Sequence, residues 1–229
     1  MNTRQFFQGI KAGFAIGAGY FPIAVAFGAL AMEAGLGIRD SALMSVLVFA
    51  GASQFMAAGM FLAGAGGLQI IAATFFVNLR HLVMSLSVHH RLEKTGRGIR
   101  ALVSFGITDE MFAFLTLHTD SSPAAINPFF TLGLNTTAYL GWVSGTVVGC
   151  LSAQIIPGEI STAMTFGLYA LFIGLLMPSV QRSRAAAVVA GASMVLNTFF
   201  SLVLETGWAM VLATILGAVI GTFVTEGES

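Results

Sequence analysis

An all-α, polytopic integral membrane fold is predicted by three features of this sequence. Hydrophobic residues fill 56% of its 229 positions and charged residues only 9%, against roughly 25% charged in a soluble domain. Apolar runs of about 17 to 25 residues recur along the chain, long enough for helices that cross a bilayer, whereas barrel strands would alternate over stretches of about 10. Glycines number 27 and prolines 5, a balance suited to helices whose backbones approach closely in lipid. The net charge of zero implies no polyanionic partner, and the single cysteine, Cys150, excludes an intramolecular disulfide.

Eight candidate membrane segments follow in order: about 12 to 33, 41 to 63, 68 to 88, 101 to 119, 129 to 154, 160 to 178, 185 to 204 and 208 to 225. Arg4 and Lys11 lead into an apolar run reaching Met32, too long for a signal-peptide core, so the first segment is expected to be a retained span. The second carries FAGASQF at 49–55, with Gly51 midway. The third holds FFVNLRHLVMSLS at 75–87, and the fourth Thr108, Asp109 and Glu110 in a row. Glycines at steps of four mark packing faces on the first segment (Gly9, Gly13, Gly17) and the fifth (Gly133, Gly141, Gly145, Gly149, with Thr137). Packing within the chain is the preferred reading of these ribbons, docking of a partner subunit the other. No long polar segment interrupts the series, so residues 1–229 read as one transmembrane domain.

The basic residues conflict with simple threading. The N-terminus and the loop with Arg91, Lys94, Arg97 and Arg100 would fall on opposite faces if the first three segments all crossed, yet both are expected on the cytoplasmic side. One of the three is therefore expected to be broken or re-entrant, the second being the candidate because of Gly51, which favours seven crossings slightly over eight. A shift of 140 positions aligns Ala50–Ser53 with Ala190–Ser193 and gives 8 identities in 25 positions, which suggests repeat halves near 12–88 and 160–225.

Several polar side chains lie too deep to be incidental. On a helix Thr74, Asn78, His81 and Ser85 form one stripe, which should face protein or water, and Arg80 lies about 100° from His81. Arg80 and Asp109 lie eight and nine residues from opposite ends of the 89–100 loop, about 12 to 13 Å deep in an antiparallel hairpin. They are expected to meet, either as a structural pair or with one carboxylate left to take a proton or an ammonium. His81 is either a satisfied hydrogen-bonding group or a proton carrier. Gln54 either binds a polar ligand at a break near Gly51 and Ser53, or bonds a neighbouring helix across an intact one. On the fifth segment Asn135, Tyr139, Trp142 and Thr146 form a second polar face, read first as a hydrogen-bonded packing face and alternatively as a wall of a permeation path. No metal-ligand spacing, phosphate loop, hydrolase elbow or dinucleotide fingerprint appears, so neither a metal nor a cofactor is expected.

At these residues the sequence resembles the AzlC family, the large subunits of branched-chain amino-acid exporters. The resemblance lies in YFPIAVAFG at 20–28, FAGASQF at 49–55, NLRH at 78–81 and TDE at 108–110, in family order and spacing, while the second half matches mainly in hydropathy and length. It implies a plasma-membrane permease that exports leucine, isoleucine, valine and analogues with a small AzlD-type membrane subunit, coupled to protons. A zwitterionic aliphatic substrate needs a cation, an anion and an apolar pocket. The expected substrate contacts are accordingly Gly51, Ser53, Gln54 and Asn78, with Arg80 for the carboxylate and Asp109 for the ammonium; Glu110 and His81 are the expected proton carriers. The rival readings are an intramembrane enzyme using His81 and Asp109 as a base pair, and a non-transporting assembly subunit.

Overall fold

The structure is a computed structural model that describes residues 2–92, 95–120, 126–153 and 183–226, with isolated positions between 173 and 181. Its described helices are α1 (Asn2–Glu33), α2 (Ile38–Leu47), α3 (Gly51–Leu62), α4 (Gly67–Arg91), α5 (Arg97–Phe105), α6 (Asp109–Asp120), α7 (Pro128–Ala153), α8 (Arg184–Phe200) and α9 (Thr206–Glu226). The expected segment at 160–178 lies outside the described residues except for Ile173, Leu176 and Met177. Three stretches, Asn2–Glu33, Gly67–Arg91 and Gly207–Val224, are long and apolar enough to cross a membrane, and α8 is a shorter apolar helix.

The two glycine ribbons face each other. A Cβ on Gly13 would stand 2.7 Å from the Leu134 carbonyl oxygen, one on Gly17 2.8 Å from that of Thr137, and one on Gly141 2.5 Å from that of Gly17. Gly9 meets Phe130 and Gly28 meets Thr146, so α1 and α7 run parallel in close backbone contact. The ribbons are thus consumed within the chain, and the partner-docking reading of them is corrected.

Contacts along this pair show the paths of the shorter helices. Ser45 bonds Thr146 and Tyr139 bonds the Val46 carbonyl, so α2 descends from the C-terminal end of α1 toward its middle. Phe49 packs on Tyr20, and Phe55 on Phe27, so α3 climbs back to the end where α2 entered. The second segment is therefore a re-entrant hairpin. At 10 and 12 residues its arms span roughly 15 and 18 Å, well short of a hydrocarbon core of about 30 Å.

The fourth segment, expected to be one continuous helix, is also broken. Ser85 and His81 of α4 bond the carbonyls of Ser104 and Ile107, so α5 runs inward beside α4. From a tip at Gly106–Thr108, α6 then returns: Thr108 meets Tyr20, whereas Phe114 stacks on Phe130 near the N-terminal end of α1. This hairpin enters from the face opposite to the first. The chain thus builds the same unit twice in opposite orientation, a long helix followed by a re-entrant hairpin, α1 with α2–α3 and α4 with α5–α6. With α4 antiparallel to α1, the basic N-terminus and the α4–α5 connection come to one face, which removes the charge conflict. Helices α8 and α9 pack against each other, and α9 lies along α4 through Val211, Ile70 and Ala73.

Candidate functional site

The tips of the two hairpins meet beside α7, whose polar face holds both of them. Chain breaks at membrane depth leave backbone groups that lipid cannot satisfy. Asn135 Nδ2 donates to the Val103 carbonyl (3.1 Å) at the end of α5, and Tyr139 Oη to the Val46 carbonyl (2.9 Å) at the end of α2. Trp142 Nε1 donates to Gln54 Oε1 (3.0 Å), which also accepts from the Ala50 amide (3.2 Å), while Gln54 Nε2 donates to Ser45 Oγ (2.9 Å). Ser53 Oγ donates to the Ala50 carbonyl at 2.9 Å. The helix does break where expected, and the Gln54 amide is committed to bonding across that break and to α7. Gly51 makes room for Trp142, since a Cβ there would lie 2.8 Å from the indole Cη2. Phe49, at the first tip, adopts φ +44, a strained value for a bulky residue. Its ring is held by Tyr20, Tyr139 and Phe105.

The ion pair expected from depth is formed. Arg80 Nη1 stands 2.9 Å from Asp109 Oδ2, with side chains 41% and 48% exposed. It is not enclosed by protein, and its open side must meet water, headgroups or another chain, because lipid tails do not tolerate charge. Asp109 and Glu110 occupy the first turn of α6, where the helix dipole favours carboxylates. Glu110 turns away from Arg80: its Oε2 accepts a hydrogen bond from the Tyr20 hydroxyl, whose oxygen lies 2.6 Å from Thr108 Oγ1. His81 and Asp109 each have another partner, so the base pair an intramembrane enzyme would need is not formed.

Two cavities flank the first tip. One of about 580 Å³ is lined by Met44, Val48, Ser53, Gln54, Thr74 and Asn78 among others. The second, about 480 Å³, is lined by Leu47–Ala50, Asn78, His81, Leu82, Ser85, Ala101, Ser104, Phe105 and Ile107. Val48 and Asn78 belong to both. The predicted α4 stripe thus runs along one cavity (Thr74, Asn78) and into the next (Asn78, His81, Ser85). Neither cavity includes Arg80 or Asp109 in its lining.

Sequence reading missed the Tyr20–Glu110–Thr108 cluster, which joins elements 88 to 90 residues apart. It also missed the second break, although Thr108 ahead of Asp109 and Glu110 is an N-cap with an acidic first turn, a legible helix start; Thr108 Oγ1 accepts from the Met111 amide at 3.4 Å.

These features define a multi-pass α-helical membrane protein built on two opposed re-entrant hairpins. The family model described as AzlC protein matches residues 15–156, which include α1 from Ala15 onward, both hairpins, α4 and α7. The chain belongs to the AzlC family. It is 34% identical to an uncharacterized membrane protein of Archaeoglobus fulgidus over 99% of this chain and 98% of that one. It is 33% identical to inner membrane protein YgaZ of Escherichia coli, covering 82% and 79% of the two chains. Against the branched-chain amino acid transport protein AzlC of Bacillus subtilis the identity is 29%, over 76% and 69%. No solved structure matches.

Proposed function

We propose that this protein is a secondary transporter that exports branched-chain amino acids across the plasma membrane by proton antiport, together with a small AzlD-type membrane subunit. The observation that carries the reading is the pair of opposed hairpins whose tips meet at the cavity of about 480 Å³, next to the cavity of about 580 Å³ between the first hairpin and α4; both linings are mainly apolar, with a few polar groups from α4 and the tips. Such a site suits an aliphatic side chain with a polar head, and discontinuous helices at the midplane are a recurrent device of secondary carriers. The name of the Bacillus subtilis relative supports the substrate class.

In this reading Gly51 and Ser53 shape the tip, Gln54 holds it, and Asn78 faces the substrate. Arg80 is held by Asp109 and turns to the substrate carboxylate when substrate binds. Glu110 carries the proton. Protonation weakens its hold on Tyr20, and so couples proton binding to the contact between α6 and α1. His81 holds the second tip. Cells overproducing this chain with an AzlD-type subunit should survive toxic leucine analogues and keep a lower internal leucine pool. Unchanged pools, with both chains verified in the membrane, would contradict export.

A further inference from the structure

We infer that the cavity between the two hairpin tips binds a primary ammonium group, held by Asn78 Oδ1 and His81 Nε2. The inference deepens the transport reading, on which its substrate class rests, and transfers the amino-group contact from Asp109 to α4. His81 Nδ1 lies 2.9 Å from the Ile107 carbonyl, an acceptor only, so Nδ1 bears the hydrogen and Nε2 of the neutral ring presents a lone pair. That Nε2 is buried and unpartnered, and so is Asn78 Oδ1. The two residues are three apart on α4 and share a face, and both line the same 480 Å³ cavity.

Two unsatisfied acceptors on one wall call for a donor. Helix ends of both signs line the cavity, Leu47 of α2 and Ser104 and Phe105 of α5 at C-termini and Ala50 at the N-cap of α3. Their dipoles offset each other, and the preference for a donor rests on the two acceptors. The rest of the wall is apolar, with Val48, Phe49, Leu82 and Ile107, so the cation it suits is an alkylammonium. Asp109, by contrast, is occupied by Arg80 and lies outside the lining.

Calorimetric titration of the purified full chain with 3-methylbutylamine, leucine, 4-methyl-2-oxopentanoate and sodium chloride tests this. The amine and leucine should bind, and the oxo acid, which lacks the ammonium, should not. Asn78 carries the decisive variants, because its free acceptor holds no part of the fold. Asn78→Leu should weaken amine and leucine about tenfold or more, the scale of one hydrogen bond to a charged group, whereas Asn78→Asp should keep or tighten amine binding. Binding of the amine without leucine would support the ammonium site and overturn the branched-chain reading. Oxo acid binding as tightly as leucine, binding of sodium but not the amine, amine affinity unchanged in Asn78→Leu, or no binding of the amine would each overturn the ammonium site.

Discussion

Arg80 and Asp109 form a charged pair inside a membrane chain, and its half-open setting decides how much their contact is worth. A buried pair that loses one member costs about 3 to 5 kcal/mol, but exposures of 41% and 48% bring screening that lowers the figure. Arg80→Gln and Asp109→Asn should each reduce thermal stability, and the double variant should recover about 0.5 to 3 kcal/mol beyond additivity. Strictly additive losses in a double-mutant cycle would show that the charges do not interact. Tyr20 and Glu110 separate packing from proton handling. Tyr20→Phe keeps the ring contacts with Phe49 and Trp142 but removes the donor to Glu110, so it should destabilise by about 1.5 to 3 kcal/mol, the range for hydrogen bonds to charged groups. Glu110→Gln keeps an acceptor for Tyr20 and should fold, while its transport should no longer respond to a pH gradient. A Glu110→Gln variant with undiminished pH coupling would move the proton site elsewhere.

Among the elements, the α1–α7 pair sets the scaffold, and its glycines are not equivalent to others in the chain. Gly141→Ala would drive a methyl group into the Gly17 backbone, so folded yield should fall sharply. At Gly191 in α8 an added methyl group would meet nothing within 4 Å, and Gly191→Ala should be neutral or stabilise by up to about 1 kcal/mol through helix propensity. Equal losses at the two positions, read by heating and size-exclusion recovery, would show that close approach is not what α1 and α7 require. The same contrast explains what could be read from sequence. Ribbons at steps of four, the α4 stripe, the break near Gly51 and the shared depth of Arg80 and Asp109 are periodic or local signals, and the structure contains all four. The second hairpin escapes a reading by hydropathy, since the apolar run continues on both sides of Gly106; the cap and acidic first turn at 108–110 are its only local mark. The Tyr20–Glu110 contact depends on how α6 returns past α1, and nothing in the spacing encodes that path. The aligned stretches at 50–53 and 190–193 fall at the start of α3 and inside α8, and among the described residues a long helix followed by a hairpin occurs twice within the first 120.

At the scale of the whole molecule, two hairpins entering from opposite faces make a topological claim. In a Cys150→Ser background, Arg39→Cys and Ala65→Cys should react with an impermeant thiol reagent from one side of the membrane, and Thr3→Cys and Arg97→Cys from the other. Labelling of Arg39→Cys and Ala65→Cys from opposite sides would turn α2–α3 into a crossing and restore the conflict between the basic segments. If the topology holds, the smaller cavity lies between tips that either hairpin could uncover toward its own face, an arrangement suited to alternating access. The most direct test of the transport reading is counterflow in proteoliposomes holding the full chain, with and without an AzlD-type subunit, using a panel of radiolabelled amino acids. Leucine, isoleucine and valine should accumulate chemically unchanged against an internal pool of the same amino acid, faster with the small subunit and with a pH gradient, while lysine and glutamate should not. Absence of counterflow for all three branched-chain amino acids, with both subunits verified in the vesicles, would contradict it.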